Sequence, residues 1–291
     1  MIGRARSHGA ITIANALPTG VGCAAGVDLP VEAGVTITSN RKGTRATHQI
    51  PADARSRLVR QALRTGLDTY LPRSNVEVTL ELHSDVPVAR GLKSSSAVSS
   101  AILLALAVAS GQRPSSLEIG RLSAEVAQRA GVSATGALDD ALAGLGPGFV
   151  VTDNTRGELL RRADVNPSWK VVLYIPPGRH PPSPRVRLAF ARERRLGEQV
   201  ARAAMDGDWA RAMQLNTELV ERTMGYSYEN LRHRLRDHGA IASGVSGLGP
   251  TLATIAPGGS VSELLAELPS DPAQTRVVSF LQPGSETGGL P

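Results

Sequence analysis

The sequence is poor in several kinds of residue, and each shortage excludes a class of protein. Among 291 residues there is one cysteine, Cys23, which excludes an internal disulfide and a multi-cysteine metal site. Aromatic residues make up 3%, too few for a surface that stacks nucleic-acid bases. The longest strongly apolar stretch, residues 101–109, is far shorter than the roughly 20 residues of a transmembrane helix. These shortages predict a soluble, cytoplasmic protein that binds neither nucleic acid nor membrane.

Lysine is also scarce, although the chain is basic. It has 32 basic and 26 acidic residues and a formal net charge of +6, yet the lysines are only Lys42, Lys93 and Lys170. The other basic residues are arginines, and they are spread along the chain rather than clustered. Positive charge of this kind is compatible with a nucleic-acid partner, an anionic substrate or a compositional bias. Charge therefore does not select a function.

Local patterning predicts the fold class. Alternation of apolar and polar residues predicts strands at 10–14, 31–38 and 75–82, and further strands are predicted at 149–152, 170–175, 252–255 and 276–281. Helical spacing predicts helices at 53–67, 97–110, 116–130, 136–145, 187–205, 209–224, 228–238 and 260–268. Because strands and helices do not follow a strict βαβ order, the pattern favours an α+β fold. A boundary near residues 152–165 would divide the chain into two comparable halves, and we predict two domains, 1–155 and 156–291.

The sharpest motif is a loop of small residues that leads into a strongly apolar helix. It reads Gly91, Leu92, Lys93, Ser94, Ser95, Ser96, Ala97. The free N–H groups and the dipole at a helix start attract anions, and small side chains let a phosphate approach the backbone. A helix cap needs only one serine. Three serines beside a glycine and a lysine therefore favour a phosphate site over a simple cap.

A pair of adjacent acids, Asp139 and Asp140, lies in an otherwise apolar helical stretch at residues 135–141. A buried carboxylate has to be paired, bound to a metal or functional. An acid pair that offsets a helix dipole explains the same pattern equally well. The residues alone leave both interpretations open.

Two glycine-rich segments are less specific. Residues 243–250 hold three glycines before a strand, which indicates either a tight turn or a backbone surface that packs against a ligand. Residues 20–26 nearly match a dinucleotide-binding fingerprint, but the final spacing is one residue too long. We therefore discount the second segment as a dinucleotide site.

Taken in order, these motifs resemble the GHMP kinase superfamily. Residues 87–97 match its Pro-x-x-x-Gly-Leu-x-Ser-Ser-x-Ala loop, residues 136–141 its Gly-x-x-Asp-Asn/Asp-Ala segment, and residues 246–250 its Ser-Gly-x-Gly-Pro turn. Within the superfamily the resemblance is strongest to the archaeal-type shikimate kinases. These share the opening stretch at 9–22, the lysine after Gly-Leu, and Val-Val-Thr-Asp-Asn at 150–154.

The resemblance implies a two-domain GHMP kinase fold, with an N-terminal domain like ribosomal S5 domain 2 and a ferredoxin-like C-terminal domain. It implies that ATP binds between them with Mg²⁺ and phosphorylates the 3-hydroxyl of shikimate. The products would be 3-phosphoshikimate and ADP, on the route to chorismate and the aromatic amino acids. The alternative is another small-molecule GHMP kinase of the homoserine or mevalonate type, which the opening stretch disfavours. A homodimer is left open.

The resemblance also assigns roles to residues. Asp139 would be the catalytic aspartate, which accepts the hydroxyl proton or orients the acceptor. The loop at 91–97 would cradle the triphosphate, and Gly247 and Gly249 would pack against that loop or the nucleotide. Ser95 would ligate Mg²⁺, together with Glu125 from the preceding helix.

Two cationic positions are not fixed by the motifs. A substrate with a carboxylate calls for an arginine opposite it, and the sequence does not single one out. Some relatives place a basic residue beside the catalytic aspartate, and Arg4 and Arg6 are candidates here by their location in the chain.

Overall fold

The computed structural model describes residues 1–39, 48–49, 56–72, 75–178, 184–269, 271–285 and 288–290. Its strands are β1 Ile2–Ala14, β2 Val21–Ser39, β3 His48–Gln49, β4 Val76–Ser84, β5 Phe149–Asp153, β6 Glu158–Ala163, β7 Trp169–Tyr174, β8 Ala242–Val245, β9 Leu252–Pro257, β10 Thr275–Ser279 and β11 Gly288–Leu290. Its helices are α1 Arg57–Tyr70, α2 Ser94–Ala109, α3 Ser116–Arg129, α4 Leu138–Gly144, α5 Pro184–Arg192, α6 Arg194–Asp206, α7 Trp209–Met224, α8 Glu229–Asp237 and α9 Val261–Ala266. None of these helices is long and apolar enough to cross a membrane.

The first sheet is built on two long antiparallel strands, β1 and β2. The second half of β2 pairs with β4, and its first residues, Val21 to Ala25, pair with β5. β6 continues from β5, and β11 lies on the other side of β1. Because the first residues of β2 pair with β5, the last residue of β5 lies beside the start of β2.

Helix α2 is the centre of this half. It is rich in alanine and leucine, has twelve buried residues, and packs on β1 and β2 as well as on α1 and α3. Gly3 of β1 allows the close approach, because a Cβ there would meet the carbonyl oxygen of Ala105. The prediction of a buried helix with apolar residues all round is confirmed, and its start is Ser94.

The second sheet has the order β10-β7-β9-β8, and all its pairs are antiparallel. Helices α5 to α8 lie between β7 and β8 in the chain, and α9 lies between β9 and β10. A second apolar core forms here, around Phe190, Leu219, Leu235, Leu252 and Leu264. Two sheets with packed helices, antiparallel except for the pairing of the two-residue strand β3 with β4, confirm the α+β prediction.

Several elements differ from the sequence-based expectations. The patterns did not predict β6, β8 or β11, and the long helix expected at 187–205 is two helices that break at Glu193. The first residues of the helix expected at 53–67 lie outside the described residues. The domain division at 155 and 156 stays a prediction; β6, which follows it, pairs with β5.

Candidate active site

The three predicted motifs meet at one cleft of about 430 Å³. Its lining includes the predicted site residues Gly91, Leu92, Lys93, Ser94, Ser95, Ser96, Asp139, Gly247 and Gly249. Ala97 lies behind the lining and is buried, and its carbonyl oxygen accepts a hydrogen bond from Ser7 Oγ. The structure therefore brings together segments that are more than 150 residues apart in the chain.

The small-residue loop delivers the start of α2 to the cleft. Lys93 occupies the N-cap position with φ of 67° and makes no side-chain capping bond. The three serines follow it in the first turn. The serines are therefore not N-cap residues, and the first N–H groups of the helix have no capping side chain. This arrangement suits an anion better than the simple-cap interpretation does.

The glycine turn at 246–250 packs directly against this loop. Gly91 has φ of +84°, and a Cβ there would meet the carbonyl oxygen of Ser246. Ser246 Oγ donates to the carbonyl oxygen of Gly91 at 2.8 Å and accepts from the N–H of Thr12 at 3.0 Å. The N–H of Gly247 donates to Thr12 Oγ1 at 2.8 Å. The turn and the loop thus form one surface at the edge of the cleft.

Tyrosines from the second half hold the far side of the turn. Tyr226 OH donates to the carbonyl oxygen of Leu248 at 2.8 Å, and Tyr228 OH donates to that of Pro250 at 2.8 Å. A Cβ at Gly249 would lie 2.6 Å from the Tyr226 ring. The turn is therefore held through its backbone carbonyl groups.

Asp139 lies at the base of the cleft, where its side chain is 4% exposed. Asn154 Nδ2 donates to Asp139 Oδ1 at 2.8 Å, and Thr152 Oγ1 donates to Asn154 Oδ1 at 2.7 Å. On the opposite side, the carboxylate lies against Gly22, where a Cβ would strike it. The orientation of the Asp139 carboxylate is therefore fixed by its neighbours.

The neighbouring acid, Asp140, forms an ion pair with Lys93. Asp140 Oδ1 lies 3.0 Å from Lys93 Nζ, and each side chain is 12% exposed. Burial and then the charge of Asp140 raise the pKa of Asp139 to about 7, while Lys93 and the Asn154 hydrogen bond act in the opposite direction. A carboxyl group whose pKa lies near neutrality can accept and release a proton under physiological conditions.

Lys93 lines the cleft and its charge acts on Asp139, whereas Arg4 and Arg6, the candidates named by their location in the chain, lie elsewhere. Arg6 pairs with Glu32 on the neighbouring strand, and Arg4 lies close to Gly34. Neither lines the cleft. The location of a residue near the start of the chain could not show which face of β1 it occupies.

Asn154 is the functional candidate that sequence reasoning missed. Its stretch, residues 150–154, was noted only as part of a family resemblance. The sequence does contain one signal, an amide residue at the end of an apolar strand. That signal points to the site only when the pairing of β2 with β5 is known.

Glu125, expected to ligate Mg²⁺, does not line the cleft. Its carboxylate pairs with Arg129 at 2.7 Å on the surface of α3. Within the described ranges no group of three or more histidine, cysteine, aspartate or glutamate side chains could hold a metal ion. The role of Glu125 as a metal ligand stays a prediction.

A second cleft, of about 470 Å³, lies between α7, α8 and β8. Charged side chains of both signs line it, including Arg211, Glu221 and Arg232. None of the site residues predicted from the sequence lines it. The cleft at α2 and α4, which the predicted site residues line, is therefore the candidate active site.

Comparison with known proteins identifies the family of the chain. The family model for the GHMP kinases N terminal domain matches residues 57–146, and the model for the GHMP kinases C terminal domain matches residues 200–274. The first match includes the loop at 91–97 and Asp139, and the second includes the turn at 246–250. Together the two models cover more than half of the chain.

Full-length similarity extends the same finding. The chain is 34% identical over 258 residues to a shikimate kinase of Pyrococcus abyssi, covering 88% of this chain and 92% of that protein. It is 32% identical to a shikimate kinase of Halobacterium salinarum, covering 99% and 100%. The homoserine kinase structure of Cytophaga hutchinsonii shares the fold, with a TM-score of 0.68, 16% identity and coverage of 99% and 96%. The chain therefore belongs to the GHMP kinase family and is an ATP-dependent kinase, as its motifs implied.

Proposed function

We propose that the chain is a shikimate kinase, which transfers a phosphoryl group from ATP to the 3-hydroxyl of shikimate and yields 3-phosphoshikimate and ADP. The observation that carries the proposal is the similarity over 88% to 99% of the chain to proteins named shikimate kinase. The geometry of the cleft supports it, because a buried acid and an anion-binding helix start share one space. The substrate would be a small molecule, and a homodimer stays a prediction.

The loop at 91–96 fits the phosphates of ATP. The α2 start offers backbone N–H groups without a capping side chain, and the half-buried hydroxyls of Ser94 and Ser95 lie in its first turn. Lys93 adds a positive charge at the same place. Phosphoryl transfer depends mainly on positioning and on neutralising the phosphate charge, and these residues supply both.

The residues of this cleft would supply only some of the ligands of a Mg²⁺ ion. Mg²⁺ is usually held by one or two protein groups and by substrate phosphates rather than by a full protein cage. Ser95 lies in the lining and would contribute its hydroxyl. When bound, the ion neutralises phosphate charge; the protein groups described here do not form a site of three acids.

Asp139 would act on the acceptor hydroxyl. Its carboxylate takes the proton as the hydroxyl oxygen forms its bond to phosphorus, and ADP leaves with the electrons of the broken bond. Lys93 lies near enough to influence the Asp139 charge and remains paired with Asp140. The ion pair would thus keep a cation in the same cleft as the base.

A coupled assay of ADP release tests the proposal with shikimate, homoserine and mevalonate as acceptors. We expect turnover with shikimate that exceeds the other two by orders of magnitude. Mass analysis of the product checks that one phosphate has been added. Turnover restricted to homoserine or mevalonate would refute the substrate assignment and leave the family unchanged.

A further inference from the structure

Asp139 is enclosed by two residues to which the motifs gave no role. We propose that Asn154 and Gly22 are positioning residues that fix the Asp139 carboxylate for proton transfer. Asn154 does so by donating a hydrogen bond, and Gly22 by leaving room for the carboxylate against the β2 backbone. The inference deepens the proposed function, on which its kinetic readout rests.

Asn154 is built into the sheet as well as into the site. Its side chain is 9% exposed, and its backbone N–H donates to the carbonyl oxygen of Gly20 at 2.9 Å. Thr152 Oγ1 donates to Asn154 Oδ1 at 2.7 Å, which leaves the amide NH₂ to face Asp139. The N–H of Asp139 also donates weakly to Asn154 Oδ1, at 3.4 Å. The amide is thus held in one orientation before it contacts the acid.

Gly22 stands directly opposite this network. It is the cross-strand partner of Thr152 in the pairing of β2 with β5. A Cβ at Gly22 would strike Asp139 Oδ2 and would lie 2.6 Å from its Cγ. Because Asn154 holds the other oxygen, the carboxylate could not move aside without losing that bond.

This placement also explains the glycines at 20–26, which nearly match a dinucleotide fingerprint. Gly20 has φ of +86°, and a Cβ at Gly26 would meet the carbonyl oxygen of Ala143 in α4. Gly22 makes room for the carboxylate. Gly20 therefore serves the turn before β2, while Gly22 and Gly26, both within β2, make room for the Asp139 carboxylate and for a contact with α4.

The Asn154 bond acts on the charge of Asp139 as well as on its position. A hydrogen bond to a carboxylate favours the ionised form. Within the described part of the chain, Asp140 and Lys93 are the ionisable groups that act on the pKa of Asp139. Burial and then the charge of Asp139 raise the pKa of the neighbouring Cys23 thiol. Lys93, the Asn154 hydrogen bond and a backbone hydrogen bond oppose the effect of burial on Asp139. Removing Asn154 should therefore leave Asp139 harder to ionise.

The first test compares wild type with Asn154→Ala and Asn154→Asp. Loss of the donor should move the acid limb of the kcat profile upward by about one pH unit, since a bond to a charged group is worth roughly 1.4 kcal/mol or more. The aspartate variant keeps the size and places a second carboxylate at Asp139, so its shift should be larger. If Asn154→Ala fails to fold, Asn154→Asp still tests whether the hydrogen bond from Asn154 acts on Asp139.

A titration of the free protein gives a readout without turnover. With carboxyl-labelled aspartate, the resonance that disappears in Asp139→Asn reports the Asp139 pKa in each variant by NMR. We expect the order wild type, Asn154→Ala, Asn154→Asp from lowest to highest pKa. Thr65→Val is the matched control, because Thr65 is buried in α1 and its hydroxyl accepts a bond from Gln61. Thr65→Val should lower the stability of the protein without shifting the Asp139 pKa.

The second test changes only the space beside the carboxylate. Gly22→Ala should lower kcat at least about tenfold, as expected for a misplaced catalytic group, while KM for ATP stays near its wild-type value. Gly34→Ala on the same strand is the control, because a Cβ there meets nothing nearer than 3.6 Å. It should leave kcat unchanged.

The role of Asn154 would be overturned if both Asn154 variants kept the wild-type acid limb of the kcat profile and the wild-type Asp139 pKa in the NMR titration. A normal kcat for Gly22→Ala would overturn the role of Gly22. If wild type turns over another acceptor instead of shikimate, the proposed substrate fails, and the NMR titration still decides whether Asn154 acts on Asp139.

Discussion

At the scale of the residue, Lys93 combines backbone strain with a functional contact. Its φ of 67° lies in the left-handed region, which residues other than glycine seldom adopt. The same conformation places its ammonium 3.0 Å from Asp140 in the cleft. Strain that persists at such a position is a feature of functional sites.

Lys93→Gly and Lys93→Ala separate these two properties. Both substitutions remove the ion pair, but only glycine removes the backbone strain. Lys93→Gly should therefore be more stable than Lys93→Ala by about 1 kcal/mol. Both should lower kcat by about a hundredfold or more, the scale of a lost electrostatic contact to the transition state. Chemical denaturation and steady-state kinetics give the two numbers. An alanine variant with wild-type kcat would exclude Lys93 from the reaction.

The raised pKa of Asp139 makes a prediction about stability. A carboxyl whose pKa is higher in the folded than in the unfolded state lowers stability as pH rises between the two values. Asp139→Asn removes that penalty. Its free energy of unfolding should exceed that of wild type at pH 8 by at least about 1 kcal/mol, and the difference should shrink towards pH 4. A difference independent of pH would contradict the shifted pKa.

At the scale of the element, sequence patterns located the helices and strands whose pattern fits one kind of element. Helix α2 is an example, since its alanine- and leucine-rich run is apolar all round and therefore predicts a buried helix. The exposed edge strand β6 and the three-residue β11 carry little alternation, so nothing in their sequence distinguished them from loops. Their strand form comes from pairing with β5 and β1.

The start of α2 should carry the nucleotide. Mg²⁺–ATP should raise the Tm of wild type, because a ligand that binds only the folded state stabilises it. A Ser94→Ala, Ser95→Ala double variant should show a much smaller rise in a thermal-shift assay.

Ser115→Ala is the control for this measurement. Ser115 caps α3 through a capping box with Glu118. Its loss should lower stability by about 1 kcal/mol and leave the ATP-dependent rise intact. Equal protection of the double serine variant and wild type would refute the phosphate-loop assignment.

At the scale of the whole molecule, the cleft depends on contacts between distant parts of the chain. The bond between Thr12 and Ser246 joins residues 234 positions apart. Motifs could predict that the loop at 91–97, the acid pair and the glycine turn matter, but not which atoms meet. The Asn154–Asp139 bond and the Lys93–Asp140 pair depend on tertiary packing. No local period encodes them.

Gly91→Ala tests the packing of the two halves. The added Cβ would meet the Ser246 carbonyl oxygen, and the alanine would have to adopt the positive φ of Gly91. We therefore expect the free energy of unfolding to fall by about 2–4 kcal/mol. Gly111→Ala has a similar φ of +72° with nothing within 4 Å. That control should lose only about 1 kcal/mol. Equal losses in the two variants, measured by denaturant unfolding, would show that the contact with Ser246 has no weight.

The proposed reaction depends most on Asp139, whose carboxylate would accept the proton of the acceptor hydroxyl in this cleft. The most direct measurement is kcat of Asp139→Asn with ATP and shikimate, compared with wild type at the same pH. Asparagine keeps the shape and can still bond to Asn154, so the fold should persist by circular dichroism. We predict that kcat falls by about a hundredfold to ten-thousandfold, the range of general base catalysis. A folded variant with kcat near that of wild type would contradict the account.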